Sequence, residues 1–201
     1  MIAAVLLVAL FSGAFELSAR DLPMQSVRAL QMPVLDPHTL AVSIENICTA
    51  SSVGDGVWLT KAHCVTHGRQ VYISGEPAAV IKADDNVDLA LVKTRFVKAP
   101  ALRVAVKAPS ALDVVVMLGH PMGFYQVVAT TGWVSVPEWR EPGMAFPLML
   151  VQIVGAPGNS GSSILNTRGE IISVLEGGWG RSFEPMAVGS AHSVLVAFLK
   201  K

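Results

Sequence analysis

Charge is scarce in this 201-residue chain: 15% of its residues are charged, and fifteen Lys or Arg balance fifteen Asp or Glu for a formal net charge of +0. Without a basic excess there is no electrostatic footprint for a phosphate backbone and no polybasic patch for an anionic membrane, which argues against nucleic acid as a partner. Cysteine is limited to Cys48 and Cys64, and these do not cluster with the five histidines at metal-ligand spacings. No metal and no organic cofactor is therefore expected. Internal repeats and low-complexity segments are missing too, which excludes solenoids and disordered tracts. What is abundant is apolar material, 52% of the residues, enough for a sizeable core in one domain or two small ones.

The longest apolar run, Ile2 to Phe15, is broken only by Ser12 and Gly13. It falls short of the roughly 20 residues of a spanning helix and suits the core of a signal peptide, with Ser18 and Ala19 as small residues for a cleavage site. A basic leading region is missing, so residues 1–19 read as a signal peptide or membrane anchor, with a buried N-terminal helix as the alternative. Export would make the chain secreted or periplasmic, and any membrane contact would run through this segment alone. From Asp21 to Gln31 a short helix is predicted with Pro23 in its first turn, and Pro33 and Pro37 mark residues 20–37 as a linker.

Beyond the linker the pattern changes to short apolar runs separated by Gly, Pro and Asp. Candidate strands are Leu40–Ile47, Gly56–Thr60, Gln70–Ile73, Ala78–Lys82 and Leu89–Lys93, then Val114–Leu118, Val127–Val136, Leu148–Val154, Ser162–Leu165, Ile171–Leu175 and Ala187–Ser190. Their spacing and β-branched content suggest barrels or sandwiches in place of alternating strand–helix units. Lys98–Ser110, with two prolines, divides them into two all-β halves, residues 38–104 and 105–201. The end, Ser193 to Lys201, reads as a terminal helix with Ser193 as its cap and lysines at its C-terminus.

Around Ser160 the run Gly155-Ala-Pro-Gly158-Asn-Ser160-Gly161-Ser-Ser163 crowds turn-forming residues about one hydroxyl. Alone, it reads more readily as a polar turn than as a site. A serine becomes a nucleophile only beside a base, usually a histidine oriented by a carboxylate. His63 directly follows a predicted strand, and Asp88 stands immediately before the apolar run Leu89–Val92. Asp84 and Asp85 read as solvated turn residues, His38 and His67 as linker or surface, His120 as satisfying a loop, and His192 as entering the terminal helix. An α/β-hydrolase is excluded because its acid and histidine follow a Gly-x-Ser-x-Gly nucleophile, whereas here they precede Ser160.

The segments Gly54-Asp-Gly-Val-Trp-Leu-Thr-Lys-Ala-His63-Cys64, Asp88-Leu-Ala-Leu91 and Gly158-Asn-Ser160-Gly161 resemble the chymotrypsin-like serine proteases. Leu118-Gly-His-Pro-Met-Gly123 and Thr131-Gly-Trp-Val-Ser135 look like the start of the second barrel in their HtrA-like branch. The resemblance runs in order from about residue 40 to residue 199. It implies an all-β fold of two six-stranded antiparallel barrels with a short C-terminal helix and an active site in the cleft between them. It also implies a Cys48–Cys64 disulfide, with two buried thiols as the alternative. No PDZ-like segment follows within the chain, so a PDZ-regulated trimer is not implied, and oligomeric state is left open.

The same resemblance assigns Ser160 as nucleophile, His63 as general base and acid, Asp88 as the orienting carboxylate, and the backbone N–H groups of Gly158 and Ser160 as the oxyanion hole. It places the substrate pocket near Val154, Gly155, Ala156, Gly189, Ser190 and Ala191; no carboxylate stands there, so small or aliphatic side chains are expected of a peptide or protein substrate. Two departures stand out. Ser162 replaces the usual second glycine, and Asn159 replaces the aspartate of digestive enzymes, which removes the ion pair used for activation by a freshly cut N-terminus. The competing reading is a catalytically silent protease fold that binds peptides or serves a structural role; acyl transfer to an acceptor other than water cannot be separated from hydrolysis at this level.

Overall fold

The computed structural model describes residues 22–37, 42–66, 68, 70–178 and 186–200. Among the described residues twelve strands and one α-helix follow in the order β1 Val27–Leu35, β2 Val42–Gly54, β3 Val57–Thr60, β4 Val71–Ile73, β5 Glu76–Asp84, β6 Leu89–Lys93, β7 Val114–Gly119, β8 Val128–Trp139, β9 Leu148–Gln152, β10 Ser163–Leu165, β11 Ile171–Gly178, β12 Met186–Ser190 and α1 His192–Lys200. The first six close a barrel in the order β1-β2-β3-β6-β5-β4, and the last six repeat it as β7-β8-β9-β12-β11-β10. Every strand pairing is antiparallel.

Several strands show no inside–outside alternation because both of their faces are covered. Successive side chains of a strand point to opposite faces. In β3, Trp58 enters the interior of the first barrel while Leu59 joins a cluster lying between the barrels. In β7, Val115 and Met117 fill the second barrel, and Val116 and Leu118 face that same central cluster. Leu89, Leu165, Val174 and the helix residues Val194, Leu195 and Phe198 complete the cluster, so three cores weld two barrels and a helix into one body. The crossing segment is stitched to both sides: Leu102 N donates to Ser52 O at 2.8 Å and Ala105 N to Ile171 O at 2.9 Å.

Three expectations are corrected. The stretch read as a helix over Asp21–Gln31 followed by a linker is a 3-10 turn at Met24–Ser26 and then strand β1, so the first barrel begins at Val27 and not at residue 38. Proline is admissible in β1 because Pro33 pairs with Ile44 of β2 on one side, while only Leu30 and Gln31 pair with β4 on the other. The terminal helix starts at His192, which makes Ser193 a helical residue and not the cap. Its C-terminal carbonyls find a partner elsewhere: Lys82 of β5 donates to Phe198 O and lies 4.3 Å from the Phe198 ring centre. The leader (residues 1–19), His38, His67 and Lys201 lie outside the described residues, and among those residues no helix is long and apolar enough to cross a membrane.

Candidate active site

The pairing of β3 with β6 puts Thr60 opposite Ala90, so the chain leaving β3 and the chain entering β6 meet at the same end of the first barrel. His63 leaves β3 on a single 3-10 turn, Ala62–Cys64. Asp88 occupies the last position before β6 with a left-handed φ of 48°. Its carboxylate grips His63 twice: Oδ1 accepts the backbone N–H of His63 at 2.8 Å, and Oδ2 lies 2.8 Å from the ring Nδ1. Burial works against ionisation of Asp88, but the His63 ring N–H, the Lys61 ammonium and the His63 backbone N–H outweigh it and hold the carboxyl below the ordinary aspartate range. The His63 side chain is 45% exposed.

The turn that carries His63 is pinned by a disulfide from Cys48 of β2 to Cys64. Both sulfurs and a His63 ring nitrogen lie within 4.8 Å of one another, a grouping that could otherwise hold a metal, but the S–S bond consumes both thiolates. Asp84 is the last residue of β5, opposite Leu89, and its carboxylate accepts the N–H of Asn86 in the turn that follows at 3.0 Å. His120 satisfies its loop through Nδ1 and the carbonyl of Phe124 at 2.8 Å, and His192, at the start of α1, meets the carbonyl of Ala105 at 2.8 Å.

Ser160 comes from the second barrel, on the loop between β9 and β10. Thr49 of β2 docks this loop against the first barrel: its N–H donates to Ser160 O at 2.8 Å and its hydroxyl to Gly158 O at 2.9 Å. The same hydroxyl accepts the His120 N–H at 3.0 Å, and the Thr49 carbonyl accepts the Thr60 hydroxyl at 2.8 Å. Glycine is needed at two loop positions. Gly158 has φ 92° and a side chain there would sit 2.4 Å from His120 O; Gly161 has φ 85° and would meet Thr49 O at 2.1 Å. Among the described residues, the N–H groups of Gly158 and Ser160 donate no hydrogen bond within the protein, leaving two donors flanking Asn159 for an incoming oxygen.

The Ser160 hydroxyl donates to the main-chain carbonyl of Glu176 at 2.9 Å, and among the described residues His63 shares side-chain hydrogen bonds with Asp88 alone. The histidine and carboxylate are thus engaged while the hydroxyl is turned to β11. Ser162, the departure from the usual glycine, is accommodated across the loop by Gly119 of β7, whose absent side chain would have stood 2.1 Å from Ser162 Oγ.

The pocket expectation is corrected in part. Val154, Gly155 and Ala156 lie on the loop before Ser160, and Val154 is 60% exposed. Gly155 opens toward Ala187 and Leu175, at 3.7 and 3.9 Å from where its side chain would be. Gly189 packs against Ser173 and Val174 of β11, Ser190 points inward to Lys61, and Ala191 belongs to the central cluster, so these three are interior residues. In this part of the sheet Gly178 pairs with Ala187 and Leu175 with Gly189, and Ala187 and Leu175 are themselves buried in the core of the second barrel. Thr49, Lys61 and Glu176 escaped sequence reasoning altogether. A lysine directly before Ala62-His63 was the one visible signal, because it is a charge in an otherwise apolar run.

Two closed six-stranded barrels, with a His–Asp couple on the first and a serine loop from the second, define a chymotrypsin-like domain. The chain belongs to the trypsin-like peptidase family: residues 48–174 match the family described as Trypsin-like peptidase domain. It is 35% identical over 139 residues to Protease Do-like 2, chloroplastic, of Arabidopsis thaliana, an alignment covering 63% of this chain and 23% of that protein. It is 29% identical over 150 residues to a probable periplasmic serine endoprotease DegP-like of Hahella chejuensis, covering 71% of this chain and 32% of the relative. The chain therefore spans about a quarter to a third of the length of these relatives. Among solved structures, the active form of the Rv3671c protease from M. tuberculosis superposes with a TM-score of 0.71 at 21% identity, over 89% of this chain and 81% of that one. The HtrA-type protease AlgW, solved with a decapeptide, gives 0.71 at 18% identity over 88% and 63%. At such identities the superpositions speak for the fold.

Proposed function

We propose that the chain is a serine endopeptidase that hydrolyses peptide bonds through an acyl-enzyme. The observation that carries this reading is the two-point grip of Asp88 on His63 beside a serine loop that Thr49 locks onto the same barrel. For reaction the Ser160 hydroxyl must leave the Glu176 carbonyl and take the His63 ring as its hydrogen-bond acceptor. Oγ then attacks the substrate carbonyl carbon as His63 takes its proton. Collapse of the tetrahedral intermediate breaks the C–N bond, and the imidazolium returns that proton to the leaving amine. Water, activated by the same ring, releases the acid. Asp88 holds the imidazole with its Nδ1 proton inward and stabilises the imidazolium.

The N–H groups of Gly158 and Ser160 form the oxyanion hole, each donor worth about 3–4 kcal/mol in comparable sites. The primary pocket lies beside the loop over residues 154–156, which is apolar, partly exposed and free of carboxylates, and this supports small or aliphatic residues before the scissile bond. The substrate is a protein or peptide chain, and no metal enters a step. The apolar leader, the disulfide and the periplasmic designation of the DegP-like relatives together support export from the cytoplasm.

One observation favours the second reading, a silent peptide-binding protein: the Ser160 hydroxyl is bonded to Glu176 O. Hydrolysis of an unfolded protein substrate separates the two. Ser160→Ala is expected to lower kcat about 10⁴- to 10⁶-fold with the melting temperature unchanged. Equal turnover by the parent and the Ser160→Ala protein would overturn the assignment.

A further inference from the structure

Beneath the Asp88–His63 couple lies a charge that the hydrolytic steps above leave unused. Lys61 is fully buried, with 0% of its side chain exposed. Its ammonium donates to Ser190 Oγ at 2.8 Å and lies 3.5 Å from Glu176 Oε2 and 3.8 Å from Asp88 Oδ2. That Asp88 oxygen is the one facing the His63 ring. Ser190 is itself fixed, its carbonyl accepting the Ser173 hydroxyl at 2.8 Å. Glu176 reaches the other end of the site, because its main-chain carbonyl receives the Ser160 hydroxyl. One buried cluster therefore touches both the orienting carboxylate and the residue that holds the nucleophile.

An interior ammonium is costly unless its protons and its charge are both matched. Burial pulls the Lys61 pKa down, and Glu176 and Asp88 push back against it. Among the described residues the charged groups facing Lys61 are Asp88, at the head of β6, and Glu176, from β11; His63 stands on the far side of Asp88, and β12 contributes only the neutral Ser190 hydroxyl. With neutral imidazole the three side chains Lys61, Asp88 and Glu176 sum to one negative charge, the same as a lone aspartate. Removing the lysine leaves two negative charges beside the ring, and removing the glutamate leaves none.

We propose that Lys61 and Glu176 form a positioning pair for the Asp88–His63 couple: Lys61 fixes the Asp88 carboxylate from behind, and Glu176 cancels the charge that Lys61 would otherwise set against the imidazolium. The proposal rests on the assignment of His63, Asp88 and Ser160 as the triad. Neither residue touches substrate in this scheme; both act through Asp88 and His63.

The variants Lys61→Met, Glu176→Gln and the double variant test it through the pH profile of kcat/KM. A second readout is the titration of the His63 ring by NMR in the same variants on a Ser160→Ala background. Lys61→Met is expected to move the acidic limb and the ring midpoint up by about one pH unit, Glu176→Gln to move both down by about the same amount, and the double variant to return them close to the parent. A purely structural role would change stability and leave these midpoints in place; an unmoved midpoint in either folded single variant overturns the proposal. Should Lys61→Met fail to fold, Glu176→Gln decides alone, since its side chain is partly exposed and near-isosteric. The NMR titration needs no turnover. A protein inactive in every form would sink the triad assignment, while the ring midpoints still judge the coupling.

Discussion

At the scale of single residues, the site depends on groups whose roles lie in their surroundings. Thr49 is the clearest case: nothing in its local sequence marks it, yet its hydroxyl links Gly158 O to the His120 N–H across the barrels. Thr49→Val keeps the shape and strips that hydroxyl, leaving a buried carbonyl and a buried N–H unpartnered. It is expected to destabilise the folded protein by about 1–3 kcal/mol in urea titration and to lower kcat more than it raises KM. An unchanged urea midpoint would show that the Thr49 hydroxyl is not the strut. Asp88 makes a pH prediction with a definite sign. Its folded-state pKa is depressed, so its contribution to stability is present above the unfolded aspartate value and disappears as pH falls through the lower, folded value. Unfolding free energy should therefore drop on acidification below about pH 4, and Asp88→Asn should flatten that drop. Parallel acid curves for the two proteins would contradict the depressed pKa. The proposed triad His63, Asp88 and Ser160 could be named from the sequence because each stands beside a strand or in a turn-rich loop, within motifs that resemble a known family. Lys61, Glu176 and Thr49 were not, because their partners are brought together only by folding.

Among the elements, the strands that succeeded and failed as sequence readings differ in how many faces they bury. β6 and β7 announce themselves as continuous apolar runs because one face fills a barrel and the other fills the central cluster. β1 was misread as helix and linker. Its buried residues Val27 and Leu30 are three apart, as on a helix, because they serve different cores, and a register shift after Leu30 precedes Met32. β12 was found, read as Ala187–Ser190 against Met186–Ser190, but the burial of Gly189, Ser190 and Ala191 follows from contacts across the fold that the strand's own sequence does not carry. The Cys48–Cys64 bridge ties β2 to the turn bearing His63 and closes a loop with a sequence separation of 16. Replacing both cysteines by serine is expected to cost about 3 kcal/mol of stability, read as a lower melting temperature in oxidising buffer. The same double variant under reducing conditions should match the reduced parent. A variant as stable as the oxidised parent would show that the bridge does not constrain the turn.

For the molecule as a whole, the proposed catalysis is a matter of joining two barrels that each hold part of the candidate site. The first barrel supplies His63 and Asp88, already coupled; the second supplies Ser160, its hydroxyl turned to Glu176 O; the central cluster and Thr49 fix their separation. The two-barrel plan was readable from the sequence because strand-sized apolar runs fall on either side of Lys98–Ser110. The closure of the first barrel was not, since it needed β1. The central claim is that Ser160 becomes a nucleophile when His63 takes its proton, and reaction with a fluorophosphonate tests it most directly, with mass spectrometry of the tryptic peptides. One phosphonyl group on Ser160 in the folded parent, and none in the His63→Ala protein or in the unfolded chain, is the predicted result. A folded parent that carries no adduct at Ser160, or one labelled equally after His63→Ala, would contradict it.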